Sequence, residues 1–256
     1  MHPILFQWGF LRVYSYGFFV ALGVLAATLL LVKKVEKQGR SPQFVIDLVI
    51  LMVVAGIIGA RLVYVFLYEP GYYLAHPLQI LMLSQGGLAF YGALLFGLLA
   101  GYLYLRKIGV PFLAFLDLAA PAVALGYSFA RIGCFLNGCC YGIPTTLPWG
   151  VVFPVVDDLP RHPTQLYSLL SGLIIFIILE LCSRRIRFRG QTFSLFLILY
   201  GLSRSVVELF RENPFMWGGK IASLTALAMA LAGGLLYLFL SRQGTSTYLK
   251  HLERSN

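Results

Sequence analysis

The chain has 256 residues, of which 59% are hydrophobic and 12% charged, with four cysteines and a formal net charge of +10. That composition excludes an ordinary soluble domain, and several apolar windows exceed the roughly 20 residues needed to cross a bilayer. The basic residues fall in short segments between apolar ones, a pattern of membrane topology rather than of a nucleic-acid surface, and the cysteines have neither a repeating metal-finger spacing nor the frequency of a disulfide scaffold.

In chain order, the N-terminal stretch lacks the basic region of a cleaved signal, and its first apolar run is long enough to span. Seven spanning helices are predicted, at roughly 14–33, 45–67, 87–105, 112–132, 165–183, 191–210 and 219–240. Lys33, Lys34, Lys37 and Arg40 follow the first helix, Arg106 and Lys107 the third, and Arg184, Arg185, Arg187 and Arg189 the fifth. Because basic loops stay in the cytoplasm, these loops are expected inside and the N-terminus outside, with the tail carrying Arg242, Lys250 and Arg254 inside. No internal repeat is apparent. The one long connection expected, at about 143–164, reads as a proline-containing outside loop, so residues 1–256 are expected to form a single all-α polytopic domain.

Depth along these helices singles out particular polar residues. Arg61 falls roughly 24 Å and Arg204 roughly 20 Å along outward-running helices at 1.5 Å per residue. Arg131 ends a third outward helix, while Tyr16 and Tyr91 open inward-running ones, so all five are expected in the outer half of the membrane. An arginine at the centre of a helix costs about 2.5–3.5 kcal/mol to insert, so these residues call for partners or a function. Arg204 and Glu208 have the spacing of an intrahelical ion pair, and Arg211 is one turn from Glu208. Arg61 is expected to snorkel to the headgroups. Arg131 has no such local partner, because the nearest carboxylate on its helix, Asp117, is about 21 Å away and reads as structural.

Other features are open to more than one reading. Gly97 and Gly101 have a G-x-x-x-G spacing that suits close helix packing. Cys134, Cys139 and Cys140 could form a disulfide, hold a metal or fill space, and small-residue packing is the expectation. The run Pro160-Arg161-His162-Pro163-Thr164-Gln165-Leu166-Tyr167 places a cation, an imidazole and an amide at the start of the fifth helix.

Six segments together resemble the prolipoprotein diacylglyceryl transferase family: Tyr14-Ser-Tyr16-Gly, Gly59-Ala-Arg61-Leu, Gly86-Gly-Leu-Ala-Phe-Tyr91-Gly, Ala130-Arg131-Ile-Gly-Cys-Phe-Leu-Asn137-Gly, Arg161-His-Pro-Thr-Gln-Leu-Tyr167 and Tyr200-Gly-Leu-Ser-Arg204-Ser-Val-Val-Glu208-Leu-Phe-Arg211. The resemblance covers most of the chain. It implies a multi-pass enzyme of the bacterial inner membrane, with its site facing the outer leaflet. Such an enzyme joins a diacylglyceryl group from phosphatidylglycerol to the cysteine thiol of an exported prolipoprotein, at its lipobox, and releases glycerol phosphate. No cofactor and no metal are implied, and no nucleic-acid partner.

By the same resemblance, Arg131 and Arg204 match two essential arginines, Asn137 and Gly142 belong to the signature, and Tyr16 matches a helix-one tyrosine. Glu208 and Arg211 would organise the second arginine, Arg61 would join the lipid contacts, and His162 and Gln165 would contribute from the loop. The chemistry suits arginine, because a thiolate attacking the glyceryl carbon drives negative charge onto the departing phosphate, which a guanidinium holds bidentately. The chain departs from the family pattern at four positions: Tyr91 stands where a histidine is usual, Cys134 and Cys139 stand for asparagine and glutamate, and Ser168 stands for a glutamate. From the residues alone, a paralogue that binds phospholipid or transfers it to another acceptor, and an intramembrane anion or lipid transporter, also stay open. The transporter reading lacks the inverted repeats and paired broken helices that such proteins carry.

Overall fold

The structure is a computed structural model that describes residues 1–8, 11–82, 86–212 and 218–253. Arg254, counted above in the basic tail, lies outside the described residues. Seven long helices occur among them at the expected places: α1 (Ser15–Lys37), α2 (Gln43–Leu67), α4 (Phe90–Lys107), α5 (Phe112–Asn137), α6 (Thr164–Cys182), α7 (Gln191–Leu209) and α8 (Gly218–Glu253). Among the described residues, six helices are long and apolar enough to cross a membrane. The remaining long helix, α4, is 18 residues long and ends in Arg106 and Lys107, which lower its hydropathy. Helix α8 continues well past the expected end at 240, into a polar stretch.

Three features differ from the sequence expectation. Residues ahead of α1 form an antiparallel hairpin, β1 (Ile4–Trp8) with β2 (Leu11–Tyr14), rather than the approach to a span. The segment 68–89, taken as a simple loop, is as long as 143–164 and contains α3 (Pro70–Ala75) and a 3-10 turn over Pro77–Leu81. The 143–164 connection is itself folded, with β3 (Val151–Val152) antiparallel to β4 (Pro160–Arg161).

The chain divides into two compact units, Met1–Leu31 with Leu113–Asn256, and Val32–Phe112. In the smaller unit α2 and α4 pack through glycines. A Cβ on Gly97 would lie 3.2 Å from the Met52 carbonyl oxygen, and one on Gly101 would lie 3.0 Å from the Met52 sulfur, so the G-x-x-x-G spacing is a packing seam. In the larger unit the buried core joins Ala120 and Ala124 of α5 to Ile175 and Leu179 of α6, with Phe196 and Tyr200 of α7 against them. Close approaches at Gly23–Gly126 and Gly172–Ser128 bring α1 and α6 onto α5, and Gly201 lets α7 lie against α8 at Ala226 and Ala230. Asp117 is structural, as expected. Its carboxylate accepts the backbone N–H groups of Gly190 (2.5 Å) and Phe193 (2.9 Å), which caps the N-terminus of α7, where unpaired N–H groups and the helix dipole both favour an anion.

Candidate functional site

In the larger unit, the C-terminal end of α5 meets the C-terminal end of α7. Arg131 lies over the ring of Tyr127, one turn earlier on its own helix, with 4.6 Å from the guanidinium carbon to the ring centroid. The Tyr127 ring meets Tyr200 of α7 edge-on at 5.2 Å, and Tyr200 lies within electrostatic range of both Arg131 and Arg204. Arg204 pairs with Glu208, whose side chain is 1% exposed, and Arg211 Nη1 lies 3.7 Å from the same carboxylate. The expected intrahelical pair therefore forms and extends to the third residue. Arg131 makes neither a hydrogen bond nor an ion pair among the described residues, and the buried Nε atoms of Arg131 and Arg211 have no partner there. These two buried donors are open to an acceptor, and a donor left unmade is expensive.

Between these arginines runs the segment after α5. The Sγ atoms of Cys134, Cys139 and Cys140 all lie within 4.8 Å of one another as free thiols. Asn137 lies in electrostatic range of Cys139, and Arg211 Nη2 donates to Cys140 Sγ at 3.3 Å. The neighbouring Cys134 and Cys139 thiols, and then the charges of Arg211 and Arg131, hold the Cys140 thiol well below the ordinary thiol range. Tyr16, the second residue of α1, is within electrostatic range of Arg131 and of all three thiols, because Gly133 lets the α1 backbone approach closely.

The entrance of α6 anchors this segment. Thr164 donates its hydroxyl to the Cys140 carbonyl (2.5 Å), and Gln165 Nε2 donates to the Cys139 carbonyl (2.7 Å). His162 is buried, with Nδ1 3.0 Å from the Tyr167 hydroxyl and its ring against Phe210. Arg161 pairs with Asp157 and Glu212 and donates to the Gly142 carbonyl at 3.2 Å. The hydrogen bond from Arg161 holds the Asp157 carboxyl below the usual carboxylate range.

Two residues have settings that the sequence did not announce. The N–H of Gly142, part of the signature, donates to the His162 carbonyl (2.9 Å), its own carbonyl accepts from Arg161, and a Cβ there would collide with Phe210 and His162. It is a joint between three segments. Arg61 was expected to snorkel or to hold lipid. In the smaller unit it is 4% exposed, and its guanidinium donates to the carbonyls of Gln79, Ile80 (2.8 Å), Met82 (3.3 Å), Gly86 (2.7 Å) and Gly87 (3.1 Å). Gly86 and Gly87 have φ of +82° and +74°, a conformation that turns their carbonyls toward the cation at little cost only for glycine. Arg61→Ala should therefore release this segment, because each bond to a charged donor contributes about 1.5–3 kcal/mol. Limited proteolysis is expected to cut within 76–89 much faster in the variant, and Arg61→Lys should protect only partly because one ammonium cannot reach five carbonyls. Equal cleavage rates in all three proteins would refute this role. Tyr91, also in the smaller unit, is 77% exposed, and its hydroxyl has no hydrogen-bond partner among the described residues.

Sequence reasoning missed Tyr127 and Tyr200. The signal was present, since each precedes its arginine by one helical turn in a repeated Tyr-x-x-x-Arg spacing.

Comparison with known proteins identifies the family. The family model described as "Prolipoprotein diacylglyceryl transferase" matches residues 3–239. A phosphatidylglycerol–prolipoprotein diacylglyceryl transferase of Clostridium tetani is 39% identical over 218 residues, covering 84% of this chain and 87% of its own. The protein of the same name from Geobacter sulfurreducens is 37% identical over 255 residues, covering 94% of this chain and 96% of its own. A third, from Nitrosomonas europaea, is 41% identical over 214 residues, covering 82% and 77%. With six helices fit to cross a membrane, paired arginines at the ends of α5 and α7, and these likenesses along nearly its whole length, the chain is a multi-pass membrane protein that belongs to the prolipoprotein diacylglyceryl transferase family.

Proposed function

We propose that the protein transfers the diacylglyceryl group of phosphatidylglycerol to the lipobox cysteine thiol of an exported prolipoprotein. The observation that carries this reading is the pair of partnerless buried Nε donors on Arg131 and Arg211, flanking the Arg204–Glu208 pair. The thiol loses its proton, and its sulfur forms a bond to the glyceryl carbon as the carbon–oxygen bond to phosphate breaks, the bonding pair leaving with the phosphate oxygen. Glycerol phosphate departs and a thioether remains. Arg131 and Arg204 offset the charge that grows on the phosphate, and a water-poor site strengthens that effect. Glu208 and Arg211 hold Arg204 in place. Tyr16 and Asn137 line the site, with His162 and Gln165 supporting it from behind the cysteine segment.

In this reading residues 1–256 act as one polytopic domain in the bacterial inner membrane, N-terminus outside and C-terminus cytoplasmic. The site faces the outer leaflet. The distribution of Lys33, Lys34, Lys37, Arg106, Lys107 and Arg184–Arg189 supports that orientation. Tyr91, standing where the family resemblance leads one to expect histidine, orients a reacting group through its hydroxyl, since a phenol near pKa 10 is a poor base at neutral pH.

The test uses purified protein, phosphatidylglycerol vesicles and a peptide carrying a lipobox cysteine. Mass spectrometry should find the diacylglyceryl adduct on the cysteine sulfur, and none on a peptide with serine in its place. In the same assay Tyr91→Phe should slow turnover by about ten- to a thousandfold, the worth of one transition-state hydrogen bond. No adduct from the native protein would refute the activity, whereas an unchanged rate in Tyr91→Phe would remove only Tyr91 from the site.

A further inference from the structure

The three thiols after α5 have a geometry that the transfer reaction does not require. Cys134 sits in the last turn of α5, and Cys139 and Cys140 follow the helix end, yet their Sγ atoms converge to within 4.8 Å of one another. The convergence has a conformational cost. Cys140 has φ of +63° and is the one non-glycine residue with positive φ among the described residues. A side chain in that region is uncommon outside asparagine and aspartate, and backbone strain of this kind gathers at functional sites. The Cys139 and Cys140 carbonyls are held by Gln165 and Thr164, so the strained turn is built in rather than free to relax.

A cation bound by three thiolates at roughly 2.3 Å holds them on a triangle about 4 Å on edge. Sulfurs within 4.8 Å reach that triangle by small side-chain rotations. No histidine or carboxylate belongs to the cluster, so the donor set is all sulfur and of low coordination number.

We propose that Cys134, Cys139 and Cys140 form a trigonal site for one soft monovalent cation, with Cu(I) as its natural occupant. Soft thiolate ligands select Cu(I) over the harder ions that carboxylate and water ligands favour. Binding exchanges three thiol protons for the ion and forms three sulfur–copper bonds with no change of oxidation state. Cys182, on the last turn of α6, is no part of the cluster.

The test is anaerobic. Reduced, purified full-length protein is loaded with Cu(I) as its acetonitrile complex and challenged with the Cu(I) chelator bicinchoninate. One ion per chain should resist the chelator, and X-ray absorption on that loaded protein should show three sulfur neighbours. Cys139→Ser and Cys140→Ser should lose the retained ion, while Cys182→Ser keeps it. Zn(II) offered in the same competition should be displaced first. Complete loss of Cu(I) from the native protein to the chelator would overturn the proposal. So would two sulfur neighbours instead of three, retention undiminished in both serine variants, or Zn(II) held in preference to Cu(I). The absorption measurement on native protein decides the matter even if a variant fails to fold.

Discussion

Replacing Arg131 with alanine is expected to lower diacylglyceryl transfer by about a hundred- to a thousandfold, the usual effect of removing one preorganised donor from a developing anion. The expectation comes from what Arg131 does not do. It stacks on Tyr127 and leaves Nε without a partner among the described residues, so its positive charge is not committed to holding the fold. The variant should remain folded and inserted, with a thermal unfolding midpoint in detergent close to that of the native protein. Arg131→Lys should recover little of the lost rate, because an ammonium cannot grip two phosphate oxygens in one plane and stacks less well on an aromatic face. Full activity in the lysine variant would mean that charge alone matters. Unfolding of the alanine variant would make Arg131 a structural residue.

Glu208 should behave in the opposite way. Its carboxylate is buried between Arg204 and Arg211, whose side chains are 13% and 24% exposed. Breaking a buried pair by removing one partner costs about 3–5 kcal/mol, and here the partial access of the arginines to solvent argues for the lower end. Glu208→Ala should therefore both destabilise the protein and abolish transfer, because Arg204 loses the group that aims it. The double variant Arg204→Ala/Glu208→Ala should be more stable than Glu208→Ala alone, since it no longer strands the closer cation. Measured by thermal unfolding, strictly additive losses in the two single variants and the double would rule out the coupling.

The legibility of this molecule in its sequence depended on range. The long helices were legible because each is a run of apolar residues whose length the bilayer dictates, and the Arg204–Glu208–Arg211 cluster was legible because it needs only helical spacing. Arg61 was misread for the complementary reason. Its depth in α2 was sound, but the carbonyls that surround it come from residues 79–87, and nothing local in Gly59-Ala-Arg61-Leu announces them. Gly142 was singled out correctly as a special residue, yet the reason is collision with His162 and Phe210, two segments remote in sequence. The cysteines were visible, but their convergence required the left-handed turn at Cys140, which no propensity favours.

The N-terminal hairpin also bears on how the protein is made. His2 donates its backbone N–H to the Leu136 carbonyl (2.9 Å), and Ser15 donates to Pro3 (2.9 Å), so the first residues are sewn to the end of α5. During synthesis that seam cannot close until about 130 more residues have left the ribosome, a wait on the order of ten seconds at ordinary elongation rates. Throughout that interval the hairpin lacks the anchor that Leu136 gives its first residues. The hairpin is thus a late-docking clasp whose closure reports that α5 has arrived.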